Sequence, residues 1–370
     1  MILSIIVFIL VIGVVVIAHE LGHFLLAKIN GIRVNEFAVG MGPTLFHFQK
    51  GETRYVLRLL PIGGACVMDG EDGISIEDKK DKEDTDFSKE IVDVSETTAN
   101  RTSGKFTDAN VWAKISVVIA GPLFNIILAF LLTMILVSQV GEILPVVTDT
   151  MEGYPAEAAG LQAGDKITKV AGERVYLQNE ISIAMYLNGN KDVEIEYERD
   201  GRRISTVISP KYNEEDGNYY LGLTFGEYVE GKGWNLVRFS AYEVRYWLKY
   251  TVKSLMMIVQ GQVSKDDVAG PVGIAMMIDE TIENSTPYGL STVIFSLINF
   301  AVLLSVNLGV MNLLPIPALD GGRLLFLIIE VFRGKPLPPE KEGIVHFVGF
   351  VVLMMIMVLV MYNDITRIFS

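Results

Sequence analysis

The stretch Val11–Lys28, VIGVVVIAHELGHFLLAK, places two imidazoles and a carboxylate inside an apolar run. With the residues before it, the run is long enough for a membrane-crossing helix, which needs about 20 residues. Ionisable groups are costly in hydrocarbon, so His19, Glu20 and His23 mark a candidate functional site. On a helix, positions i and i+4 share a face, so His19 and His23 point the same way and can hold one zinc ion. Glu20 stands beside His19 and is placed to act as general base on a water that the metal acidifies to a pKa of about 7. The competing reading is a pair of packing histidines with a hydrogen-bonded glutamate.

The rest of the chain shares this apolar character. Of its 370 residues 50% are hydrophobic, and the mean hydropathy is +0.38, too high for an ordinary soluble domain. A net charge of −13 argues against nucleic acid as a partner, because its phosphates would be repelled. Cys66 is the single cysteine, which excludes an intramolecular disulfide and a thiolate metal cluster. Four membrane spans are expected, over residues 1–27, 115–140, 291–314 and 343–363. The first lacks a basic leading region and a small-residue cleavage site, so it is expected to be retained. Lys28 and Arg33 follow the first span, Arg101, Lys105 and Lys114 precede the second, and Arg323, Arg333 and Lys335 follow the third. This bias puts residues 28–114 and 315–342 in the cytosol, and both termini and residues 141–290 on the far face.

Within residues 28–114, alternation around Tyr55, Leu57 and Leu59 and a turn at Pro61, Gly63 and Gly64 predict β-structure over 45–68. Residues 69–105 are mixed in charge and read as a solvated segment. Residues 141–228 read as a compact domain with a hairpin turn at Asp200-Gly201. Residues 229–290 hold an amphipathic segment with Arg238, Arg245, Lys249 and Lys253. It suits a helix on the membrane surface or one packed on the neighbouring domain.

A catalytic zinc site needs three protein ligands and an open position. His47 falls in the strand region, and His346, near the start of the fourth span, reads better as a packing histidine. Asp320, in NLGVMNLLPIPALDGGRLLF, is the preferred third ligand, at the level expected for His19 and His23. Pro315 and Pro317 break the helix before it, and Gly321-Gly322 permit close backbone approach. The alternative for Asp320 is an N-cap of the helix that follows.

These blocks, taken in order, resemble the intramembrane site-2 metalloproteases, in particular the bacterial branch that cleaves anti-sigma factors. AHELGHFLLAK, EFAVGMGPTLF, YVLRLLPIGGACVMDGED, VWAKISVVIAGPLFNIILAF, PAEAAGLQAGDKI, AGPVGI and the Asp320 block carry the resemblance across most of the chain. It implies a polytopic α-helical membrane protein with four transmembrane helices, a membrane-associated β-structure and an inserted extracytoplasmic PDZ (α+β) domain. It implies Zn2+ on His19, His23 and Asp320, with Glu20 as the base. Asn312 would stand at the substrate carbonyl or oxyanion, and Asn307, Pro315 and Pro317 would handle substrate. The strand holding Tyr55, Val56 and Leu57 would pair with an unwound substrate. The expected substrates are single-span membrane proteins of the anti-sigma-factor type, already trimmed by another protease. The PDZ domain would contact the substrate or its trimmed terminus, and the protein would lie in the bacterial cytoplasmic membrane with its active site toward the cytosol. Two departures are a single PDZ domain, where some relatives carry two, and Cys66 where an aromatic is expected. Two other function classes compete with this one. A metal-ion transporter would be lined by Asn125, Asn299 and Asn307, but no paired half-repeats are visible. A PDZ-based membrane scaffold would leave HELGH without a role.

Overall fold

Residues 2–70, 104–214, 218–263 and 268–369 are described by a computed structural model. The solvated segment expected over 69–105 therefore lies, from 71 to 103, outside the described residues. Helix α1 (Ile2–Ile29) buries Val11, Val15, His19, His23 and Ala27, a stripe at four-residue spacing. Its opposite face, with Leu3, Ile6, Leu10 and Val14, is exposed, as a lipid-facing surface is. Strands β1 (Val34–Lys50) and β2 (Thr53–Met68) follow. Helix α2 (Val111–Val140) begins where the Asn110 side chain accepts the Trp112 N–H at 3.0 Å, an N-cap.

A second run of elements comprises β3 (Glu142–Ile143), β4 (Val147–Thr150), the short α3 (Pro155–Ala158), β5 (Lys166–Val170), β6 (Glu173–Arg174) and α4 (Gln178–Asn188). It continues through β7 (Val193–Arg199), β8 (Arg202–Ile208), β9 (Lys211–Asn213), β10 (Asn218–Tyr220), β11 (Leu223–Phe225) and β12 (Tyr228–Val229). The chain then forms α5 (Trp234–Val259), α6 (Pro271–Ser285), α7 (Leu290–Asn312), α8 (Asp320–Arg333) and α9 (Pro339–Phe369). Among the described residues, four helices are long and apolar enough to cross a membrane, over Leu3–Ile29, Val111–Val140, Leu290–Asn312 and Glu340–Arg367.

Two compact units emerge, one of Met1–Ala129 with Leu255–Ser370 and one of Phe130–Ser254. In the first, α6 packs against α1, α7 and α9. Its N-terminus is capped from α9: buried Asp364 accepts N–H bonds from Gly270 at 3.1 Å and Gly273 at 2.8 Å. Those glycines leave no room for a Cβ beside the carboxylate, which explains the AGPVGI block.

The β-structure of this unit begins at Val34, not at residue 45. Gly40 and Gly42 have φ of 88° and 89°, so the chain bends at Gly-Met-Gly-Pro and returns to pairing rather than ending a strand there. As a result β1 meets β2 in two places. Residues 46–50 pair with 53–57, and residues 34–39 stand opposite both 64–68 and 54–57.

In the second unit, a four-stranded sheet of order β6-β5-β7-β8 covers a core that includes Ile167, Val170, Val193 and Ile195. Asp200 and Gly201, both with positive φ, make the β7–β8 turn. The first turns of α5 dock on this unit, burying Phe239 with Leu177. Three of the four basic residues of α5 are engaged there too: Arg245 with Glu180 at 2.7 Å, and Lys249 and Lys253 with Glu173 at 2.5 and 2.6 Å. This stretch of α5 is therefore the packed helix, not one presenting its cations to lipid headgroups.

Glu243 of α5 is buried and Glu142, just past the end of α2, is half-buried. Burial pushes both carboxyls above the ordinary carboxylate range, with the charge of Glu243 adding to the effect on Glu142, and that of Glu180 to the effect on Glu243. A carboxyl raised in the fold keeps a proton that the unfolded chain releases, so stability falls as pH climbs from the ordinary carboxylate range through the raised values. Thermal unfolding in detergent should therefore occur at a lower temperature near about pH 8 than near about pH 5, and the gap should narrow in Glu243→Gln.

Candidate metal centre

The buried stripe of α1 sets His19 and His23 one turn apart, with ring centroids at 4.8 Å and planes at 83°. Their Nε2 atoms converge to 3.2 Å. Small residues let α2 press against them. A Cβ on Gly22 would overlap the Ala120 carbonyl, and one on Gly121 would overlap the His23 ring. Pro122 sits inside α2 and cannot donate to the carbonyl four residues back, which removes a helix rung beside this contact. His23 Nδ1 donates to the neighbouring Val117 carbonyl at 2.9 Å. That bond keeps the ring hydrogen on Nδ1 and leaves the Nε2 lone pair facing the site.

The same logic governs His19. Its Nδ1 lies 3.2 Å from the side-chain amide of Asn125, which is fully buried and whose Oδ1 has no other partner. With the Nε2 lone pair turned to the site, Nδ1 carries the hydrogen and needs an acceptor. The Asn125 amide meets that need through its oxygen, in the orientation that also satisfies Oδ1. Ser305 of α7 in turn donates to the Asn125 carbonyl at 2.8 Å, holding α2 on α7.

Asp320 arrives from the other side. Helix α7 stops at Asn312, three residues before Pro315. The loop that follows packs under Gly321 and Gly322, where a Cβ would overlap the carbonyls of Leu313, Leu314 and Ile316. Leu319 is the N-cap of α8 and Asp320 its first residue, so the carboxylate does not serve as the cap. Asp320 Oδ2 reaches 3.1 Å from His19 Nε2 and 3.4 Å from His23 Nε2. One ligand atom from each residue falls within 4.8 Å of the others, the one such cluster among the described residues. Oδ2 is buried without a hydrogen-bond donor. Two lone pairs and an anionic oxygen, with no hydrogen between them, fit a divalent cation, and this donor set suits zinc.

Around these three, the structure sorts the remaining candidates. Glu20 lies under β2: a Cβ on Gly64 would stand 2.6 Å from Glu20 Cγ. Asn312 brings its amide nitrogen to 3.4 Å from His19 Nε2. Asn307 lies five residues earlier, about 140° around α7 and on a different face. Pro315 is exposed, and Pro317 packs against Gly349 of α9. The strand reading of Tyr55, Val56 and Leu57 needs correction. Tyr55 stands opposite Phe37 and Phe48, Val56 opposite Ala38 and His47, and Leu57 opposite Val39 and Phe46. Both edges of that stretch are taken, so no substrate strand can be added there. Gly64, which stands opposite Val39, is the residue of β2 beside Glu20.

The sequence offers Asn125 only as a lining residue of an ion path and marks no role for Gly121. The available signal was the AGPLFN block, in which Gly121 and Asn125 are four apart and share a helix face.

A model described as Peptidase family M50 matches residues 7–356. The zinc metalloprotease RasP of Geobacillus kaustophilus is 34% identical over 424 residues, covering 99% of this chain and 98% of that protein. The regulator of sigma-W protease RasP of Bacillus subtilis is 34% identical over 426 residues, covering 99% of each. Among solved structures, the PDZ domain of an SdrC-like protein of Listeria monocytogenes matches 23% of the chain at 22% identity, with a TM-score of 0.21 and 86% of that domain covered.

Removing the acceptor for His19 should loosen the metal. Asn125→Leu is expected to hold zinc about 10–100-fold more weakly, whereas Asn125→Asp, which keeps an acceptor, should stay near the parent. Zinc content after graded exposure to a chelator measures both.

Proposed function

This chain belongs to peptidase family M50 and is a zinc metalloprotease, and from that premise we propose that it hydrolyses peptide bonds of single-span membrane proteins within or near the bilayer. The observation that carries this reading is the convergence of His19, His23 and Asp320 between helices apolar enough to cross a membrane, with Glu20 alongside.

In this mechanism His19, His23 and Asp320 would hold the zinc. Bound there, the ion supplies Lewis acidity and lowers the pKa of water to about 7. Glu20 takes the proton from the attacking water and returns it to the leaving amine nitrogen. The Asn312 amide donates to the substrate carbonyl oxygen as negative charge develops, a contribution that in a dry site reaches about 10²–10³ in rate. A helical substrate has its amides tied internally and must unwind first. The backbone of β2 at Gly64 runs beside Glu20, so a segment unwound there would lie within reach of the base.

The surroundings agree with a membrane setting. Met41, Leu45, Phe46, Phe48, Leu57 and Leu59 are exposed on the β1–β2 structure, an apolar patch that lipid would cover. The basic residues flanking the spans favour a metal centre toward the cytosol. Residues 141–228, one span further along, then fall on the outer face as a PDZ-type domain that meets the substrate or its trimmed terminus. The Bacillus subtilis relative is named as a regulator of sigma-W. A membrane-bound anti-sigma factor, trimmed outside the cell beforehand, is the substrate class we carry to this chain.

Glu20→Gln tests the chemistry. It should keep the fold and its zinc and lose cleavage of a model transmembrane substrate by at least about 100-fold. Gel-resolved cleavage in detergent or liposomes, paired with zinc analysis, reads both, and full cleavage by the variant would remove Glu20 from its role.

A further inference from the structure

We propose that His346 is a positioning residue for the metal ligand Asp320, acting through the backbone of Ala318. The inference rests on the reading of His19, His23 and Asp320 as the metal centre.

The loop between α7 and α8 ends in an unusual way. Ala318 has φ of 77°, a left-handed conformation disfavoured for a residue with a Cβ. Leu319 then caps α8 with no side-chain hydrogen bond. The Leu319 N–H closes the turn by donating to the Ile316 carbonyl at 3.2 Å, which leaves the Ala318 N–H to be satisfied from outside the loop, and Asp320 is the next residue. That outside tether comes from α9: the Ala318 N–H donates to His346 Nδ1 at 2.9 Å. The imidazole is itself held, with its ring edge-on to Phe326 of α8 at 5.4 Å and 73°. Three residues further along α9, Gly349 lets Pro317 sit against the helix backbone. The fourth span thus grips the loop at Pro317 and Ala318, on one face of α9.

This grip fixes where Asp320 Oδ2 lies. Asp320 is two residues from the strained Ala318, and the 3.1 and 3.4 Å approaches of its carboxylate to the imidazoles tolerate little drift. A cleft of about 380 Å³ lies beside it, lined by Leu319, Asp320, Arg323, Phe347 and Phe350 along with His346. The space gives the loop somewhere to move if the tether is cut. His346 therefore acts on the metal without touching it, in the manner of outer partners that orient ligands.

The test uses the full-length protein in detergent, with the metal alone as probe. His346→Leu removes the acceptor and keeps bulk; it should release zinc to a chelator about tenfold faster than the parent and show a smaller rise in melting temperature on adding zinc. His346→Asn restores an oxygen near the Nδ1 position and should return both readouts toward the parent. Ala318→Gly allows the same φ without a Cβ, so it should rescue His346→Leu in part. Parent-like zinc release in His346→Leu, equal loss in His346→Asn, or an unrescued double variant would each overturn the proposal. His19→Ala is the control: if it retains zinc, the metal-centre reading fails, and not this one alone.

Discussion

Two imidazole nitrogens and a carboxylate oxygen converge to within 3.4 Å of one another in an apolar bundle. Such an arrangement is costly unless a cation occupies it. Most of the first unit can be understood as what is needed to hold it. The α1 stripe places the imidazoles, α2 and the Val117 carbonyl orient one of them, Asn125 orients the other, and a broken helix brings the carboxylate. Each of these partners is a hydrogen-bond acceptor for the outer ring nitrogen or a backbone turn, not a further charge. That choice keeps the net charge of the buried site low once a divalent ion is present.

Glycine is the second requirement, for a reason of space rather than flexibility. Gly22, Gly121, Gly309, Gly321 and Gly322 all stand where a Cβ would meet backbone or a ligand ring. Membrane helices lack a hydrophobic drive to associate, because lipid is as apolar as their side chains, and they rely on close contact instead. Here close contact also serves chemistry, since an α2 held further off would leave His23 Nδ1 without its carbonyl. Packing and ligand orientation are one constraint in this region.

The sequence made the spans legible because their signal is local: a run of apolar residues has one physical reading. His19 and His23 were legible for the same reason, as an i, i+4 pair in a place where ionisable groups are rare. Asp320 needed a long-range guess, which its Pro and Gly neighbours made narrow. Asn125 was less visible. An asparagine in a span is compatible with an ion path, and only the fold shows it facing His19 Nδ1. His346 was read as a packing residue because its partner is a backbone N–H at Ala318, which carries no sequence signature. The basic residues of α5 fitted a membrane surface equally well until Glu173 and Glu180 proved to be the partners of three of them.

The β1–β2 structure shows why register matters more than strand content. Alternation around Tyr55 correctly suggested a strand but said nothing about its neighbours. Strand addition depends on a free edge, and a central strand has none. The bend at Gly40 and Gly42 decides this, because it lets β1 return and pair with residues 53–57, which also face 36–39. The contact of the hairpin with Glu20 falls at Gly64, opposite Val39 and just before that bend in β1. The glycines of the GMGP turn thus bear on the site by setting which strands enclose residues 54–57 and which part of β2 lies beside the base.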